Sequence, residues 1–222
     1  MRTDSFAGMF DQNADQWSRQ EPMILSDFTA RPLVLRELAP MAGKHVLDLG
    51  CGDGELLSFL IRKKHVRAQG IELSEQAIVR CVAKGLSVFQ QDIDTGLSEY
   101  VDNSFDYVIL NQTLQQVKKP DFALHEALRV GKKTIVGIPN FAHYKARAEI
   151  FFKGRVPVTA ALPFQWYNTP NLHFLSLNDF RDYCKKKDIQ IENAFVKSGK
   201  RQVRFLPNLF GEFGFFLLSR KD

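Results

Sequence analysis

From His45 onward, short apolar runs rich in Val, Ile and Phe alternate with stretches in which apolar residues recur every three or four positions. Period two marks strands and period 3.6 marks helices, so the alternation predicts a parallel sheet covered by helices. The strand-like runs are HVLDL, VRAQGIEL, LSVFQQD, FDYVILN and KKTIVGI, and ELLSFLIRKK, SEQAIVRCVAKG and PDFALHEALRV between them read as helices. Ser74 is a natural N-cap, Gly85 a C-terminal stop, and Pro120 occupies a first helical position, where its missing N–H costs nothing.

After Pro139 the pattern changes. Residues 141–153 predict a helix, 154–174 an irregular stretch carrying Pro157, Pro163 and Pro170, and 176–187 a helix opened by a capping-box-like S-x-x-D. IQIENAFV and FGFFLLS complete an expected seven-stranded, mostly parallel sheet whose last strand is antiparallel. Ahead of it, Phe6, Met9, Phe10, Ala14 and Trp17 fall at helical spacing, and LVLREL after Pro32 predicts a second helix. The expected organisation is therefore an N-terminal helical lid over 1–40 and an α/β domain over 41–222 with an insertion at 141–175.

A chain of 222 residues, 45% hydrophobic and 25% charged, can bury one sizeable core. No apolar run approaches the length of a membrane span, and MRTDSFAGMF lacks a signal-peptide pattern, so a cytoplasmic protein without membrane contact is expected. The three cysteines form no C-x-x-C pair, which suggests neither a zinc site nor a disulfide framework. The net charge of +5 permits nucleic-acid contact, but its basic clusters are scattered at expected helix ends, where lysine complements the helix dipole. Nucleic acid is not an expected partner. Only KSGKRQVR stays open as a docking surface.

The candidate chemistry lies in VLDLGCGDGE, residues 46–55. A glycine-rich turn between a first parallel strand and its helix is where doubly wound sheets bind nucleotides. The dinucleotide fingerprint G-x-G-x-x-G requires glycine at position 55, where this chain has Glu55. A pyrophosphate would also face Asp48, Asp53 and Glu55, so a cationic ligand fits better. S-adenosylmethionine carries a sulfonium and an ammonium group. Glu72, about twenty residues on at the end of the second strand, is placed for its ribose hydroxyls. Asp92 in QQDID, at the end of the third strand, is placed for its adenine amino group.

Asp48-Leu-Gly50-Cys51-Gly52-Asp53-Gly54, with Glu72 and Asp92, resembles the acid-x-G-x-G-x-G motif of the class I S-adenosylmethionine-dependent methyltransferases. That resemblance implies a Rossmann-like fold with helices on both faces. It adds Leu73, Ile93 and the backbone carbonyl of Asn111 to the expected cofactor contacts. FDQNADQW resembles the lid of small-molecule methyltransferases, which implies that Trp17 covers the cofactor and Arg31 meets its carboxylate.

Two further stretches, LNQTLQQVKKPDFALHEALRVGKK and IPNFAHYKARAEIFFKGRVPVTAALPFQWYNTPNLHFLSLNDF, resemble the MetW family of methionine-biosynthesis proteins, carried most specifically by P-N-F-x-H and L-P-x-x-W-Y-x-T-P-N-x-H. The resemblance implies a role in methionine synthesis beside a homoserine O-acyltransferase. Members commonly begin near the first strand, so the first forty residues depart from its pattern. Two functions remain open: a methyltransferase acting on a small molecule, and a cofactor-binding regulatory subunit of the acyltransferase. Where many small-molecule methyltransferases place a histidine base after strand four, this chain reads Leu114-Gln115-Gln116-Val117. No catalytic residue is assigned. His143, His173, Trp166 and Tyr167 are candidates for a substrate cleft or a protein interface.

Overall fold

The computed structural model describes residues 42–221. The expected lid, with Trp17 and Arg31, lies outside the described residues. The sheet order is β3-β2-β1-β4-β5-β8-β6-β7, built from β1 (His45–Leu49), β2 (Arg67–Glu72), β3 (Val88–Gln90), β4 (Phe105–Asn111), β5 (Gly131–Pro139), β6 (Ile189–Ser198), β7 (Arg201–Gln202) and β8 (Phe213–Arg220). Strands β1 to β5 pair in parallel, and β8 inserts antiparallel between β5 and β6.

Among the described residues the sheet has eight strands rather than the expected seven. The addition is the two-residue β7, which folds back on β6 through Gly199 at φ 53° and turns the basic stretch KSGKRQVR into a hairpin. Two residues are too short to carry a period. Strand β8 reads as a continuous apolar run because strands on both sides and layers on both faces bury it.

Helices α1 (Glu55–Lys64), α2 (Glu75–Ala83), α3 (Pro120–Val130), α4 (Tyr144–Lys153), α5 (Leu177–Lys186) and the single turn α6 (Pro207–Phe210) complete the described elements, with a 3-10 turn at Ile93–Thr95. Alternate strand residues feed two cores. Leu47, Val108, Leu110 and Val136 pack under α3 and α5, while Val46, Ile109 and Ile135 pack against Leu56 and Leu60 of α1. Local chemistry sets the helix starts: the Ser74 hydroxyl accepts from Ala77 N at 3.4 Å, and Ser176 with Asp179 forms a reciprocal capping box.

Helix α4 starts three residues later than the pattern predicts, because Asn140 holds the chain in a turn. Fully buried Asn140 receives the Ala142 amide on its side-chain oxygen at 3.1 Å and donates to the carbonyls of Asn208 at 3.0 Å and Gly211 at 2.7 Å. It thereby ties the end of β5 to the turn before β8. After β3 the chain crosses back to β4 on the other side of β1, and at such a switch point the carboxyl ends of β1 and β4 open a crevice.

Candidate functional site

A cleft of about 310 Å³ occupies that crevice. Its floor is the β1–α1 loop, where Gly50, Gly52 and Gly54 have φ of 70°, 56° and 74°, a region side chains rarely adopt. At Gly50 a Cβ would come within 2.8 Å of Thr113 Cγ2, whereas at Gly52 it would meet only open space. Glycine is thus required for packing at the first and leaves the backbone bare at the second. The Gly50 and Cys51 amides donate to the Ile71 carbonyl at 2.8 and 3.1 Å, and the Cys81 thiol donates to the Gly52 carbonyl at 3.2 Å.

The acids divide into two kinds. Lys84 reaches up from the end of α2 to the Glu55 carboxylate at 2.6 Å, the Asp53 carbonyl at 2.8 Å and the Asp53 carboxylate at 3.7 Å. The single charge of Lys84 therefore offsets one of these two carboxylates and reduces the negative charge that the sequence gathers at this loop. Asp48 differs. It is 2% exposed, lines the cleft, and its carboxylate has no hydrogen bond or ion pair among the described residues. Burial, and secondarily the neighbouring Glu72, push its carboxyl up to about 8.

Glu72 braces the loop. One carboxylate oxygen accepts from Gly52 N at 2.7 Å, the other from Leu73 N at 2.8 Å and Ser74 N at 3.0 Å. A carboxylate offers about four lone-pair sites, which leaves one for a ligand hydroxyl. Asp92 caps the 3-10 turn by accepting from Asp94 N at 2.9 Å, and its second oxygen has no such bond among the described residues.

The opposite wall comes from the loop after β4 and from the 141–175 segment. Gln115 accepts the Leu172 and His173 amides on its backbone carbonyl at 2.8 and 3.1 Å, and His173 Nε2 donates to the Val117 carbonyl at 3.0 Å. These bonds lay Pro163, Phe164 and Leu172 along the cleft. His173 is thereby a structural tie rather than a base. His143 precedes α4 outside the cleft, its ring tilted by 50° against that of Tyr144 at 4.5 Å, and burial holds its imidazole below the usual range. Trp166 and Tyr167 point outward, 71% and 70% exposed, as an edge-to-face pair.

Of the residues expected to touch a cofactor, Asp48, Gly50, Cys51 and Gly52 line the cleft together with Glu72, Leu73, Asp92, Ile93 and Asn111. Gly54 does not. It caps α1 against Cys81 and Leu86, where a Cβ would come within 2.8 and 2.4 Å of their side chains. Sequence reasoning missed Thr113, whose hydroxyl donates to the Leu49 carbonyl at 2.9 Å beneath Gly50, and Lys84. Neither has a local sequence signal.

This parallel sheet with an inserted antiparallel strand is the Rossmann-like fold of the class I methyltransferases. It superposes with a TM-score of 0.67 at 20% identity on a SAM-dependent methyltransferase from Thermotoga maritima, over 96% of this chain and 99% of that one. Residues 32–218 match the family model of the methionine biosynthesis protein MetW, and the chain belongs to that family. It is 37% identical over 195 residues to the bifunctional methionine biosynthesis protein MetXA/MetW of Rhodopirellula baltica, covering 81% of this chain. The chain spans only 31% of the length of that relative. A more distant relative is a ubiquinone biosynthesis O-methyltransferase of Nitrosococcus oceani, 26% identical over 83% of this chain and 80% of that one.

Proposed function

We propose that the cleft binds S-adenosylmethionine or its demethylated product, and that the chain is a methyltransferase-like protein of methionine biosynthesis. The observation that carries the reading is Asp48: a buried carboxylate without a hydrogen-bond or ion-pair partner among the described residues, beside a second acid and under a bare glycine backbone, is a site for a cation. The residues present fit the group. Asp48 would face the ammonium end with the Asn111 carbonyl, Glu72 would take a ribose hydroxyl on its remaining lone pair, and Asp92 would accept from the adenine amine.

When bound, the sulfonium supplies an activated methyl group, so transfer depends mainly on in-line positioning. Among the cleft-lining residues of the loop after β4 and the 160–172 stretch, only Lys118 is titratable; none is a histidine or carboxylate. This wall can orient an acceptor but takes no proton from it. The chemistry therefore suits a small acceptor that arrives already nucleophilic. A second reading, a regulatory subunit of homoserine O-acyltransferase, draws support from the fused relative, with its MetXA half read as the acyltransferase, and from the outward Trp166–Tyr167 pair.

Calorimetric titration of S-adenosylmethionine into the parent and Glu72→Ala tests the reading. The variant loses a charge-assisted ribose contact and the brace on the loop, and affinity should fall by at least about 1.5 to 3 kcal/mol. Equal affinities would remove Glu72 from the site, and no binding to the parent would remove the cofactor.

A further inference from the structure

The cleft has a second end whose chemistry differs from the acidic one. Just beyond β4, Gln112 adopts φ 59°, a left-handed conformation costly for a residue with a side chain, fixed by its amide donating to the Gly137 carbonyl at 2.8 Å. Gln112 and Gln115 both line the cleft. Gln115 is 2% exposed and gives its side-chain N–H to the Gln112 carbonyl at 2.8 Å, which fixes its amide orientation because a carbonyl only accepts. Gln115 Oε1 and Gln112 Nε2 are buried without a hydrogen-bond partner among the described residues.

Buried polar groups are normally paired, and an orphaned acceptor and an orphaned donor on one strained turn beside a cleft are a standing cost. A ligand that pairs both relieves it. The same cleft is lined by Ala161, Pro163, Phe164 and Leu172, an apolar stretch tied to the glutamine turn by the bonds of the Leu172 and His173 amides to the Gln115 carbonyl.

We propose that this end of the cleft is a subsite for an uncharged ligand with a small apolar body and a carboxamide-like face, donating to Gln115 Oε1 and accepting from Gln112 Nε2. A carboxylate has no proton for the orphaned oxygen, and an ammonium has no lone pair for the orphaned N–H. Each leaves one buried group unpaired, which is the kind of mismatch from which sites draw strong discrimination. The proposal extends the reading of the cleft as a cofactor site but rests on different residues.

Three probes with one ring and different polar ends test it: benzamide, benzoate and protonated benzylamine, followed by saturation-transfer NMR and calorimetry at pH 7, with and without S-adenosylhomocysteine. Benzamide should bind at least tenfold more tightly than either charged probe. Gln115→Met and Gln112→Met keep most of the side-chain shape and should bring benzamide down to the level of the other two. Gln112→Gly relieves the left-handed strain, so it should raise Tm by a few degrees while losing benzamide, an opposition that general misfolding does not produce. Absence of benzamide binding, equal binding of the three probes, or a preference for benzoate through Lys118 would overturn the subsite. Affinity for S-adenosylhomocysteine should fall far less than that for benzamide in both Met variants, and absence of its binding to the parent would count against the cofactor reading alone.

Discussion

The sharpest consequence of the buried Asp48 is a pH dependence of cofactor binding. With its carboxyl pushed up to about 8, Asp48 is about nine-tenths protonated at pH 7 in the free protein, and a cation binds best to the ionised form. Each pH unit below 8 then costs about 1.4 kcal/mol, or tenfold in affinity. From pH 7.5 to 5.5, where the ligand's own amine stays mostly charged, affinity should fall roughly seventyfold. Calorimetry at pH 7 in buffers of different ionisation enthalpy should record release of about 0.9 proton per site. Asp48→Asn, nearly the same shape without the charge, should bind more weakly at pH 7.5, release no proton and lose this slope. Stability carries the opposite sign. The native protein holds this proton above the unfolded value of 3.8, so the stabilisation is full below about pH 4 and lost as pH rises through about 8. The gap bounds the effect at roughly 6 kcal/mol, and Asp48→Asn should melt higher than the parent at pH 8.5. A flat affinity profile without proton release would refute the cationic site.

Asn140→Ala removes the fully buried hub that ties β5 to the 208–211 turn, and should lower stability by about 2 to 4 kcal/mol in denaturant melts; a change under about 0.5 kcal/mol would deny it that role. Lys84→Met removes the one positive charge that Asp53 and Glu55 share beside the cleft. It should tighten binding of the cationic cofactor severalfold at low salt, and unchanged affinity at every ionic strength would mean that these carboxylates are too far away to matter. Replacing both Trp166 and Tyr167 with Ala should leave cofactor affinity intact, since neither lines the cleft, while abolishing stimulation of the acyltransferase in the regulatory reading. Loss of an anchoring aromatic costs about 2 kcal/mol or more, roughly thirtyfold in affinity.

Where a helix announced itself by local chemistry, the chain could be read directly: Ser74, Pro120 and the Ser176–Asp179 box each act within three or four residues, and the helices start there. The row of acids at successive strand ends was legible for the same reason, because a parallel sheet repeats its geometry at every strand. What could not be read is the state of each group. Asp53 and Glu55 look open in sequence, yet Lys84, about thirty residues away, closes them by a packing of α2 against the glycine loop that no periodicity encodes. The family signatures mislead in a related way. His143 and His173 look like chemistry, but in the fold His173 ties the 141–175 segment to the loop after β4 and His143 is buried at the start of α4, outside the cleft. Gln115, which lines the cleft with Gln112, stood in the sequence only as part of the stretch that lacks a histidine base. An amide left unpaired beside a cleft acquires meaning only once its neighbours are known, because the same side chain on an exposed helix would be solvated and silent.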